Sequence, residues 1–194
     1  MGLTIKRKAD KRYVHACTHN LADIPNGVTV KSAELIDGSV LAEGTPIGKG
    51  SDGLYHVVKT AKVTANVAAD GTSIKVAKGH QFKVGDFIMA ALNGKAYAIT
   101  AIDTTTSTTY DTITIGTAIG AVSEGGVIML ADAQHASSGA AFKYAPAALT
   151  GDLYDVEALS NHLVCAVTIG QFKESVIPPI SDAIKSALKG IVFI

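Results

Sequence analysis

The stretch Ala61–Gly79, AKVTANVAADGTSIKVAKG, decides the fold class. Two alternating runs flank Ala69-Asp70-Gly71-Thr72. Apolar residues at every second position put one face of a strand inward, and Asp-Gly between such runs is a strong hairpin signal. The text on either side continues in the same manner. HQFKVGDFIMAALNGKAYAITAID (80–103) gives a second hairpin with Asn93-Gly94 at its tip. Within it Val84 and Ile88 are read as inward, with Gly85-Asp86 as a corner. TTTSTTYDTITIGTAI (104–119) is rich in Thr, whose branched Cβ favours strands. Gly125-Gly126 precedes an apolar strand over 127–130. Residues 57–131 therefore read as a small β-barrel or β-sandwich block.

Upstream, AEGTPIGKG (42–50) imitates a phosphate-binding loop. A P-loop needs four residues between its glycines, a Ser or Thr after the Lys, and a helix to follow. Here three residues separate Gly44 from Gly48, Gly50 stands where the hydroxyl belongs, and Ser51-Asp52-Gly53 opens a β-prone run. The stretch reads as a strand over 40–47, a glycine-rich turn and a second strand over 54–60, with Lys49 near the tip. Further toward the N-terminus, 13–18 and 28–30 read as strands separated by the loop NLADIPNG (20–27).

Downstream, DAQHASSGAAFKYAPAALTGD (132–152) is rich in small residues and reads as a long excursion. LVCAVTI (163–169) reads as a buried strand. One short helix follows, with Ser181 as N-cap, Ile180, Ala183, Ile184, Ala187 and Leu188 as its apolar face, and Gly190 as its stop. The closing IVFI (191–194) is a strand expected to be buried in its own sheet or at a neighbour's edge.

The expectation is a mainly β protein: a small β-barrel or β-sandwich with one short C-terminal helix and an extended N-terminal arm. The arm spans 1–12 and a single β-rich domain spans 13–194. That domain comprises the 57–131 block, the 132–152 loop and a strand-helix-strand over 153–194.

Composition narrows the function classes. The 194 residues carry 17 Lys plus Arg and 17 Asp plus Glu, so the formal net charge is zero. That balance points to neither nucleic acid nor an anionic membrane. Charged residues make up 18% of the chain, below the usual quarter, and mean hydropathy is positive. Such a surface suits a chain covered by partners. No run approaches the length of a membrane span, and no secretory leader is read, so the product is expected to stay where it is made. The charge asymmetry lies in the first dozen residues: Lys6, Arg7, Lys8, Lys11 and Arg12 are the candidate partner-binding residues.

Candidates for chemistry are few. His15-x-Cys17-x-His19 would share one face of a strand and offers zinc-type ligands, but a fourth ligand is not evident, so no metal is assigned. Cys17 and Cys165 leave a single disulfide open, with two reduced thiols preferred. No motif of a Ser, Cys or metal-dependent hydrolase or of a kinase is present. The reading is therefore non-enzymatic, with no cofactor.

Three segments carry a resemblance: YVHACTHNLADIPNGVTV (13–30), GSVLAEGTPIGKGSDGLYHVVKTAKV (38–63) and KVAKGHQFKVGDFI (75–88). They resemble virion structural proteins of tailed bacteriophages, namely the small capsid-associated proteins of phages infecting Bacteroides-like bacteria. The L-x-E-G-T-P-I-G-K…D-G-x-Y piece is similar to the strand–turn–strand of head decoration and head fibre proteins. The resemblance covers about the first half of the chain and carries no catalytic residues. It implies an auxiliary subunit that binds the major capsid protein on the capsid surface, stabilises it or mounts fibres, and assembles as a homo-oligomer, a trimer preferred. The chain would be made in the host cytoplasm and located in the virion, without membrane or nucleic-acid partners. The alternative is a tail or fibre adaptor, a glycan-binding β module.

Overall fold

A computed structural model describes residues 14–157 and 159–194. The architecture is mainly β, with two curled sheets arranged in a sandwich-like manner and one short C-terminal helix. The 1–12 arm lies outside the described residues.

The first sheet joins β1 (Cys17–Asp23), β2 (Val28–Val30), β4 (Pro46–Lys49), β5 (Tyr55–Val57), β12 (Ala148–Thr150), β14 (His162–Val164), β15 (Ala166–Phe172) and β16 (Ile191–Phe193). Its order is β1-β15-β12-β4-β5-β2-β14, with β16 also against β15. Along one side β15 thus meets two partners in turn, β12 at Ala166 and Val167 and β16 at 170–172. A minor pair, β3 (Val40–Leu41) with β13 (Tyr154–Asp155), lies outside both sheets.

The second sheet comes wholly from the central block: β6 (Thr60–Lys62), β7 (Ser73–Ala77), β8 (Phe87–Met89), β9 (Ala96–Asp103), β10 (Tyr110–Ile115) and β11 (Val127–Leu130). Its order is β6-β11-β8-β9-β10-β7. Alternation drives it. On β10, Asp111, Ile113 and Ile115 are buried while Tyr110, Thr112 and Thr114 are half-buried. The sheet curls until its end strands touch at one bridge, Val63 to Val76. Its own apolar core includes Ile74, Val76, Phe82, Ile88, Ile99 and Ile113. A second core lies between the sheets and under the helix, where Met89 and Met129 meet Leu149, Phe172 and Ile184. A third gathers Val30, Leu35, Leu41, Ile47 and Val164 within the first sheet's body.

Several expectations change in detail. The Asp70-Gly71 turn does not close a two-strand hairpin. Gly71 N–H donates to Ala68 O (2.9 Å), and β7 pairs with β10 along its length, so β6 and β7 share only their single bridge. The Asn93-Gly94 hairpin forms between β8 and β9, with Asn93 at φ 58°. Val84 is exposed, not inward, because Gly85 at φ 93° turns the chain there; Ile88 is fully buried. β1 runs through Asp23, so the loop expected over 20–27 shrinks to the turn at Pro25–Gly27.

The small-residue segment 132–152 folds back into the body. Phe142 bridges Ala131, and Ala148–Thr150 forms a strand buried along its whole length. Residues 163–169 are two strands interrupted at Cys165, with Leu163 and Ile169 exposed. The helix, α1 (Asp182–Ala187), starts at Ser181, whose hydroxyl accepts Ile184 N–H, as the cap rule requires. It ends at Leu188, before Gly190, and Ala187 is exposed. β16 pairs parallel to β15 in its own sheet; only Ile191 of the closing four residues is buried, and Val192 and Ile194 remain exposed.

Candidate functional site

The glycine-rich stretch 44–53 is explained by packing and not by phosphate. It lies on the β4–β5 hairpin, where Lys49 pairs with Tyr55 and Gly50 N–H donates to Leu54 O (2.8 Å). A Cβ on Gly48 would collide with the Ala145 carbonyl. A Cβ on Gly50 would lie 2.5 Å from His56 Nε2 and 2.8 Å from Asp52 Oδ1. Gly53 takes φ 83°, a conformation that L side chains rarely adopt. Gly48 thus admits the neighbouring backbone, Gly53 makes the turn, and Gly50 makes room for a buried polar cluster.

At the centre of that cluster is His56, which is 3% exposed. Its Nδ1 lies 3.0 Å from Glu34 Oε2 and its Nε2 3.0 Å from Asp52 Oδ1. The ring stacks on Tyr144 with centroids 4.0 Å apart, and the Tyr144 hydroxyl donates to Glu34 (2.9 Å). Lys31 Nζ donates to Asp52 Oδ2 (3.0 Å). Three distant segments are clamped in this way. Burial pushes the Glu34 carboxyl up, but hydrogen bonds from His56 and Tyr144 pull it down further, and the net direction is down. The His56 and Lys31 hydrogen bonds hold Asp52 well below the usual carboxylate range. With both ring nitrogens engaged and the ring buried, His56 serves as a clamp.

A second polar cluster joins the two sheets. Lys59 lies in the crossover from β5 to β6, and its side chain is 2% exposed. Its Nζ donates to Asp86 Oδ2 (2.7 Å), which also accepts Lys83 N–H (2.8 Å). Burial lowers the Lys59 pKa against the opposing pull of Asp86. Nearby, Lys78 Nζ donates to the buried Asp111 (2.6 Å). His80 Nδ1 accepts Phe82 N–H (3.2 Å). His80 Nε2 lies 3.3 Å from Asp111 Oδ2 but is off the line of a hydrogen bond, so it counts as a close charge contact only. Burial lowers the His80 pKa despite Asp111.

The residues singled out in the sequence do not form a site of this kind. Lys6, Arg7, Lys8, Lys11 and Arg12 lie outside the described residues. His15, Cys17 and His19 are not brought together. The β1–β15 register shifts between Cys17 and His19, which breaks the alternation that would have aligned them. His15 and His19 are exposed, and His15 Nδ1 instead lies 3.5 Å from Glu43. Glu43 accepts the backbone N–H groups of Ala16 (2.8 Å) and Cys17 (3.1 Å), fixing the start of β1. Among the described residues no three His, Cys, Asp or Glu side chains converge as a metal site. Both thiols are free. Burial, with Glu43 beside Cys17 and Asp23 beside Cys165, pushes both thiols up, away from the thiolate.

No protein-family model, curated protein or solved structure matches the chain. The surface itself therefore supplies the functional evidence. Exposed large apolar side chains concentrate on the eight-stranded body and its loops: Val14, Leu21, Leu163, Ile169, Val192 and Ile194 are among them, whereas the six-stranded body adds Val84 and Leu92. Three of them cluster in register. Ile169 pairs with Ala22 beside the bulged Leu21, and Val192 pairs with Gln171 two positions along β15. The two end strands, β1 and β14, carry Leu21 (73% exposed) and Leu163 (66% exposed).

The sequence signal for the His56 clamp was the Asp52-Gly53-x-Tyr55-His56 run after closely spaced glycines. Nothing local marked Glu34 or Tyr144, which arrive from 22 and 88 residues away from His56. No helix among the described residues is long and apolar enough to cross a membrane.

Proposed function

We propose that this chain is a structural, non-catalytic subunit of a virion: an auxiliary protein of the head decoration or head fibre kind. It docks on the major capsid protein at the capsid surface through its eight-stranded body. The observation that carries this reading is the concentration of exposed apolar side chains on one body that also has two open sheet edges. Exposed large apolar side chains and unpaired edges are liabilities for a chain that works alone and are assets for one that is covered.

Charge supports the same reading. Five of the 17 basic residues but only one of the 17 acidic residues fall in the first thirteen positions, leaving 12 basic and 16 acidic residues in the remainder. A basic arm and an acidic body on one neutral chain complement each other between copies. We therefore assign Lys6, Arg7, Lys8, Lys11 and Arg12 to a contact with the next copy in a homo-oligomer, a trimer. Many weak, repeated contacts around a symmetry axis sum to firm attachment.

The test is a surface variant. Leu21→Lys/Val192→Lys changes two exposed positions and should leave the fold intact. On this account it loses association with particles lacking the wild-type chain. Undiminished association by the folded double variant would overturn the assignment of this face.

A further inference from the structure

The seam of the six-stranded sheet is zipped at one end and open at the other. Val63 bridges Val76, and Thr64 N–H donates to Lys75 O (2.9 Å). Beyond that rung no further pairing joins β6 to β7 among the described residues. The same antiparallel bridge is closed on its other side by Ala77 N–H to Lys62 O, and carrying the register on would set Ala61 against Lys78 and, two rungs later, Lys59 against His80. Instead these two stretches part and become walls of a cleft of about 250 Å³. The loop at Ile177 and Pro178 lines it as well.

Alternation fixes which backbone groups face the gap. Lys59 O accepts Leu130 N–H and Val63 N–H donates to Gly126 O, so the odd positions of β6 bond toward β11. Thr60 and Lys62 then direct their N–H and C=O groups to the other side, as Thr64 does. On β7, Thr72 O accepts Ile115 N–H from β10, while Lys75 O faces β6. Ala77 and Gly79 follow Lys75. Beyond the bridge, with its Ala77 N–H to Lys62 O bond, two antiparallel edges face each other across the cleft with Thr60 and Gly79, Lys62 N–H and Ala77 O turned inward.

We propose that this gap receives an extended peptide strand of a partner protein, hydrogen-bonded between β6 and β7 and carrying acidic side chains. An open edge is a template for strand addition, and here there are two. Charge selects the occupant. Among the described residues, Lys59, Lys62 and Lys78 line the cleft and no carboxylate does. Lys59 and Lys78 are held by Asp86 and Asp111, and Lys62 is exposed to meet an incoming acid. The chain's own N-terminal segment is basic and is excluded on that ground. This site lies where the six-stranded sheet meets the 40–45 and 176–179 segments, and it does not depend on the capsid reading.

The experiment is backbone amide exchange of the full chain with capped pentapeptides VEVEV, VKVKV and VEVEV N-methylated on alternate amides. With VEVEV at about 1 mM, the amides of Thr60, Lys62 and Gly79 should exchange at least about tenfold more slowly. VKVKV and the N-methylated peptide should leave them unchanged. Lys62→Glu, at an exposed position, should weaken protection by VEVEV and permit it with VKVKV. Unchanged amides with VEVEV, or equal protection by the N-methylated peptide, would overturn the proposal. So would protection that maps away from this seam. Because the isolated chain is used, failure here leaves particle association untouched, and the converse holds.

Discussion

The buried Lys59–Asp86 pair gives the sharpest stability prediction, because it stands where the chain crosses from one sheet to the other. Lys59→Met keeps the length of the side chain and removes the charge. What remains is the Asp86 carboxylate, 15% exposed, with Lys83 N–H as its partner. Breaking a buried pair on one side typically costs about 3–5 kcal/mol, since the surviving charge is left uncompensated. The partial exposure of Asp86 places the expectation at the lower end, about 3 kcal/mol. For a chain of this size that is a fall in Tm of roughly 6–12 °C.

The double variant Lys59→Met/Asp86→Asn removes both charges and retains an acceptor for Lys83 N–H. It should recover most of the loss and lie within about 1 kcal/mol of the wild type. Equilibrium denaturation in urea on the four members of the cycle provides the assay. A single-variant cost below about 1 kcal/mol, or a double variant no better than the sum of its parts, would refute the reasoning.

Gly50→Ala should destabilise by about 1–3 kcal/mol, read as a Tm shift, because its Cβ would meet His56 Nε2 and Asp52 Oδ1 and open the clamp. Acid should destabilise the fold. Glu34, Asp52 and Asp103 have lowered carboxyl pKa values in the folded chain, Asp103 through hydrogen bonds from Thr106 and Thr105. Their contribution is complete above the ordinary carboxylate value of about 4 and is lost as pH falls below it. Glu34→Gln should flatten the stability–pH curve in that range, and an unchanged curve would contradict the account. Ser181→Ala should cost about 1 kcal/mol through loss of the helix cap, measured by chemical denaturation.

Local rules made the β character, the β8–β9 hairpin and the capped helix legible in the sequence, because alternation, Asn-Gly and Ser at the cap act over a few residues. Partner choice between strands was not legible. β7 takes β10 as its main partner, a decision made by the packing of Ile74 and Val76 with Ile113 and Ile115 in one core. The segment 132–152 looked like an excursion because Ala, Gly and Ser carry little periodic signal, yet small residues are what a strand buried along its whole length at 148–150 requires in part. The His15-x-Cys17-x-His19 alignment failed at a bulge, which a period-two argument cannot foresee. Buried Lys59 was invisible for a related reason. Nothing near it in sequence announces Asp86, 27 residues on.

The central claim is that this chain works by covering and being covered as a repeated part of a particle. Counting its copies in purified virions by quantitative mass spectrometry tests that most directly. The account predicts copies in the hundreds per particle, in a fixed ratio to the major capsid protein. A handful of copies, or none, would contradict it.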